Sequence, residues 1–196
     1  MSDSNEKKGN TAFTESSFFT LSKPYLDFIG KGTMYNLVYI VMAITSLIIP
    51  FAVIFWAVDM ELFKIGAKGV VFFTFSWLVI AFACWIGFQL WWNRKSQVTE
   101  VKDSEFVATP MVSEIFQTFG EWAGTLIAII GAGVGLFGLI IFPELLDYIP
   151  YIGGPALVIA GPVTGFFIII ISRFFAEQIR IFAAIANNTK SIAQKD

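Results

Sequence analysis

The sequence predicts an all-α polytopic membrane protein: four transmembrane helices in two hairpins, with the last two helices extended into the cytoplasm. Three observations carry that expectation. First, four apolar runs, Met34–Val58, Gly66–Trp92, Trp122–Phe142 and Pro155–Ser172, are each long enough for a hydrocarbon core of about 30 Å at about 1.5 Å of rise per residue. Second, 56% of the 196 residues are hydrophobic and only 14% are charged, whereas a soluble domain carries about a quarter charged. Third, the basic residues fall on one side of a four-crossing path. Lys7, Lys8, Lys23, Lys31, Arg94, Lys95, Lys102, Arg173, Arg180, Lys190 and Lys195 flank the crossings on the side of the two chain ends, and only Lys64 and Lys68 fall opposite. The excess of Lys and Arg on cytoplasmic segments then places both termini inside.

Each element follows from local chemistry. Residues 1–25 are polar and mixed in charge and are expected to be disordered. No short apolar stretch with a small-residue cleavage site precedes Met34, so the first run is read as a retained membrane helix. Residues 26–93 form the first hairpin, residues 94–109 a polar linker, and residues 110–192 the second hairpin with its extensions. Trp56, Trp91, Trp92, Trp122, Tyr148 and Tyr151 fall near the ends of crossings, which suggests an interfacial aromatic belt. Pro50 and Pro162 sit inside the first and fourth crossings.

Thr109-Pro110 is a helix start, a hydroxyl cap followed by Pro at the first helical position. Beyond it Met111, Val112, Ile115, Phe116 and Phe119 share one face, and Ser113, Glu114, Gln117, Thr118 and Glu121 share the other. An amphipathic helix lying on anionic lipid carries Lys or Arg on its polar face, and this one carries Glu. A continuous helix packed against protein fits better. After Ser172 the fourth crossing continues with Arg173, Glu177, Arg180, Asn187 and Ser191 as a polar stripe between apolar flanks, which suits burial between helices. Glu121 and Arg173 lie at one depth on antiparallel neighbours. Glu114 and Arg180 lie seven residues further out, about 10 Å. The expected cross-helix partners are Glu121–Arg173 and Glu114–Arg180, with Glu177 bridging the arginines.

Small residues mark close packing. Gly120, Gly124, Ala128 and Ala132 recur every fourth position, a second strip holds Gly131, Gly135 and Gly138, and the fourth crossing adds Gly161 and Gly165. Such faces let membrane helices approach through van der Waals contact where lipid offers no hydrophobic drive. One strip suffices for the hairpin, which leaves the other for a second copy or another membrane protein.

From Phe106 onward TPMVSEIF, GGPALVIAGP and RFFAEQIRIFAAIANNTKSI resemble a bacterial family of small membrane proteins grouped as domain of unknown function 4282. The resemblance rests on Thr109, Pro110, Gly154, Pro155, Arg173, Glu177, Ile181, Phe182 and Asn187. It covers under half of the chain, and the N-terminal hairpin departs from the two-helix pattern. It implies a bacterial cytoplasmic membrane protein and supplies no activity.

The chain has no His and one Cys, Cys84. His-based acid–base catalysis and the usual zinc and haem ligand sets are therefore excluded, and no cofactor is expected. No Asp, Glu, Lys or Arg lies near the middle of a crossing, where proton relays and ion sites place them. The expected function is non-enzymatic: a scaffold or accessory subunit that meets the lipid bilayer, further copies of itself or other membrane proteins, and no nucleic acid. The alternative is a small homo-oligomeric channel along Gly131, Gly135 and Gly138. A lipid-modifying enzyme would have to rely on Glu144 and Asp147, which lack a basic or nucleophilic companion.

Overall fold

The computed structural model describes residues 33–95, 108–141 and 155–193. The expectations for residues 1–25, for most of the linker, and for Glu144, Asp147, Tyr148, Tyr151 and Gly154 lie outside them. Among the described residues the chain is all-helical. Helix α1 spans Thr33–Asp59, a single 3-10 turn Leu62–Ile65, α2 Ala67–Arg94, α3 Ala108–Ile141 and α4 Pro155–Ala193. All four helices are long and apolar enough to cross a membrane, so this is a multi-pass membrane protein. From Tyr35 onward the described residues belong to one compact unit.

Lipid is the medium that makes these helices consistent with their surfaces. Phe55 is 77% exposed and Ile140 66% exposed, a distribution that water would penalise and hydrocarbon does not. Backbone polar groups must then be satisfied within each helix, and the few hydroxyls follow suit. Thr45 Oγ1 donates to the Val41 carbonyl (2.8 Å) and Thr74 Oγ1 to the Val70 carbonyl (2.8 Å). Both α1 and α4 run on through their internal prolines, Pro50 and Pro162.

Helix α3 is the hub. Its partner positions on α4 fall as its own numbers rise: Gly120 faces Ser172, Gly124 faces Gly165, Gly131 faces Gly161 and Gly135 faces Val158, an antiparallel seam. A Cβ placed on Gly131 would lie 2.7 Å from the Gly161 Cα, so these backbones touch. Helix α2 lies antiparallel along another side of α3, through Gly133 against Val79 and Phe75 stacked on Phe137 at 4.9 Å. Helix α1 is held by aromatic side chains instead of backbone contact. Trp122 Nε1 donates to Ser46 Oγ (2.9 Å), Trp77 Nε1 donates to the Pro50 carbonyl (2.9 Å), and Tyr39 meets Trp91 edge-on at 5.2 Å.

Two expectations are corrected by this packing. The two small-residue strips are not divided between the hairpin and a partner, because the α3–α4 seam uses both. Four-residue steps drift by about 40° per step on a helix of 3.6 residues per turn, so a straight neighbour moves from the first strip to the second. The seam therefore runs through Gly120, Gly124 and Ala128 and then Gly131 and Gly135, with the Ala132 backbone also beside Gly161, and Gly138 is buried. The aromatic belt is also smaller than expected. Trp56 and Trp92 are exposed, but Trp91 is fully buried in the cluster with Tyr39, Ala43 and Met111, and Trp122 is packed over Gly87. Both rings fill the wide gap beside α1 that its few small residues leave open.

Candidate functional site

At the end of the bundle where α2 stops, polar side chains from three helices converge on one carboxylate. Glu121 is 4% exposed, in the middle of α3. Its Oε1 accepts hydrogen bonds from Arg173 Nε (2.7 Å) on α4 and Gln117 Nε2 (3.0 Å) on its own helix, and its Oε2 accepts from Arg94 Nη2 on α2. A buried carboxylate needs this many donors, since removing it from water without them costs several kcal/mol, on the order of its lost hydration. Arg94 also donates through Nη1 to Thr118 Oγ1 (3.1 Å), and that hydroxyl donates to the Glu114 carbonyl (2.7 Å).

A second layer lies two turns away. Arg180 Nη2 donates to Glu114 Oε1 (2.6 Å) and to Gln117 Oε1 (2.8 Å), while Arg180 Nε donates to Ser113 Oγ (3.1 Å). Ser113 in turn donates to the Pro110 carbonyl (2.9 Å). On this stretch of α3 the polar Ser113 and Thr118 are buried together with the apolar Met111, and Val112, Phe116 and Phe119 are left outward.

Both expected cross-helix pairs, Glu121–Arg173 and Glu114–Arg180, are present. The expected bridge is not. Glu177 is exposed and forms no ion pair among the described residues. It follows the fully buried Ala176 and so points about 100° away from the α3 contact line. Gln117 joins the two layers instead, donating to one glutamate and accepting from the opposite arginine. Sequence reasoning missed Arg94 as a partner, although it ends α2 at the depth of Glu121 on the antiparallel α3.

The layers differ in strength. The side chains of Arg94 and Glu121 are 22% and 6% exposed, those of Arg180 and Glu114 39% and 34%. A double-mutant cycle with Glu114→Gln and Arg180→Gln should give a coupling of about 0–1 kcal/mol in thermal unfolding, and the Glu121–Arg94 cycle a larger one. Equal couplings would contradict the burial difference. Chemically, every carboxylate oxygen of Glu121 is engaged, and the arrangement fixes helix register. Among the described residues no three metal-ligating side chains gather. Compared with family models, curated proteins and solved structures, the chain finds no match.

Proposed function

We propose that this protein is a non-enzymatic subunit of a bacterial cytoplasmic membrane, acting through assembly as a scaffold or accessory component. The observation that carries this reading is the end of α4. From Arg173 to Ala193 the helix continues for about 30 Å past the Glu121 layer. Phe174, Ile181, Ile185 and Ile192 on it are each about half exposed or more. Their separations of seven, four and seven residues place them on one face, with Gln178 and Asn188 at the intervening heptad positions, and beyond α3 this face has no intrachain partner among the described residues. The basic residues on both sides of this segment support a cytoplasmic location, and the resemblance to domain of unknown function 4282 supports a bacterial one. Outside lipid, a helix with such a face is stabilised by another helix.

The channel alternative had Gly131, Gly135 and Gly138 as its pore strip. Gly131 and Gly135 are taken up by the α3–α4 seam, which favours assembly over conduction. Purification from native membranes in a mild detergent tests the proposal. The expected result is an oligomer or a co-purifying membrane protein, lost when Ile181→Glu and Ile185→Glu are combined. Proximity between copies is best read from Ile192→Cys, since the lone Cys84 is buried. A solitary monomer, or association indifferent to the double variant, would count against it.

A further inference from the structure

The layer around Glu121 does not balance its own charge. Arg94 and Arg173 bring two guanidinium groups to one carboxylate, whereas Arg180 and Glu114 in the next layer match one to one. The surplus falls at Arg173. Its Nε is fixed on Glu121 Oε1, which leaves Nη1 and Nη2 without a partner among the described residues, on a side chain that is 57% exposed. Arg94 is the opposite case, with Nη1 on Thr118, Nη2 on Glu121 and most of its surface covered.

Depth decides what this free fork meets. Arg173 directly follows the fourth apolar run, Pro155–Ser172, and so stands at the boundary between hydrocarbon and headgroups. The exposed Trp92, with Lys95 Nζ 5.1 Å from its ring centroid, marks the same boundary at the end of α2. Ile170 and Phe166, three and seven residues earlier on α4, are exposed on the same side of the helix, deeper in the membrane. Charge at the boundary with an apolar strip beneath it matches a phospholipid, which carries its phosphate above its acyl chains. Glu177, one turn further out on α4, is exposed and forms no ion pair among the described residues.

We propose that Arg173 holds the headgroup of one anionic phospholipid, Nη1 and Nη2 donating to two phosphate oxygens while an acyl chain lies along Ile170 and Phe166. The planar guanidinium fork matches a phosphate bidentately, and Glu121 pre-sets its orientation through Nε. A zwitterionic lipid cancels its phosphate with its own ammonium, so the surplus positive charge of this layer selects an anionic headgroup. The proposal does not depend on the assembly role.

The test is native mass spectrometry of the full chain, released from detergent in the presence of equimolar dioleoylphosphatidylglycerol and dioleoylphosphatidylcholine. One phosphatidylglycerol per chain is expected to bind in preference. Arg173→Gln should weaken that binding about tenfold, the worth of one charge-assisted hydrogen bond. Arg180→Gln removes the same charge about 10 Å further from the membrane and should leave the preference nearly unchanged. Glu177→Gln takes away an anion one turn from the phosphate and should tighten binding about twofold, which decides the matter if Arg173→Gln fails to fold. Equal uptake of the two lipids, or equal losses in Arg173→Gln and Arg180→Gln, would overturn the proposal. So would displacement of the lipid by equimolar inorganic phosphate, which would make this a site for a free anion.

Discussion

Glu121→Ala is expected to lower stability by about 3 kcal/mol, the low end of what removing one partner from a buried charge pair costs. The variant leaves Arg94 and Arg173 without a counter-charge and Gln117 without its acceptor. Arg173 can turn to solvent, its side chain being 57% exposed, so the loss stays below that of a sealed site. Glu121→Gln should also destabilise, because the amide loses the charge, keeps one acceptor oxygen and turns its NH2 donor against the donors at the other position. The two arginines should rank by burial. Arg94→Gln removes the more buried of the two arginines and leaves Glu121 Oε2 without its charged donor, with only Arg173 to balance the carboxylate, whereas Arg173→Gln loses about 1 kcal/mol or less. Thermal unfolding of the purified variants gives the order. A Glu121→Gln variant as stable as the parent would remove the cluster as a structural lock.

Gly165→Leu should be the most disruptive single change in the membrane interior. Even a Cβ at this position would stand 2.2 Å from the Gly124 carbonyl oxygen, a backbone atom that no rotamer change can move. Gly165→Ala is therefore expected to cost about 1–3 kcal/mol by overpacking, and Leu to separate α3 from α4. Gly133→Ala provides the internal contrast. Its Cβ meets Val79 Cγ1 at 2.5 Å and Cγ2 at 2.8 Å, side-chain atoms of a stiff branched residue, so α2 must shift, but no backbone atom lies as close as at Gly165. Unfolding midpoints should fall in the order Gly133→Ala, Gly165→Ala, Gly165→Leu. If Gly165→Leu unfolded like the parent, the seam would not be in backbone contact.

The crossings were legible because length and apolarity are properties of single segments: predicted runs and observed helices agree within a residue or two at most ends. The Glu121–Arg173 and Glu114–Arg180 pairs were legible for a related reason. Depth along antiparallel helices is arithmetic, and charged side chains are too costly in lipid to be placed casually. Which face of each helix meets which neighbour was much less legible. An apolar stripe marks the buried side only where the rest of a helix is polar, but this chain carries apolar residues on most faces, and Phe116 and Phe119 point outward while Thr118 is buried. Trp91 shows the same ambiguity, since a Trp near a helix end suits both the headgroup region and an internal gap beside α1. Glu177 stands within reach of both arginines by spacing along the chain, yet helical phase turns it away. The drift of the seam between two glycine strips needed the real pitch of α3 against a straight partner.

Cysteine accessibility in intact bacterial cells tests the central claim most directly. In a Cys84→Ala background, Lys64→Cys, Lys95→Cys and Asn188→Cys would be challenged with a membrane-impermeant maleimide. The account predicts labelling of Lys64→Cys from outside and labelling of the other two only after permeabilisation. Equal labelling of all three in intact cells, or recovery of the protein from the aqueous fraction without detergent, would contradict a four-crossing chain with both described ends on one side.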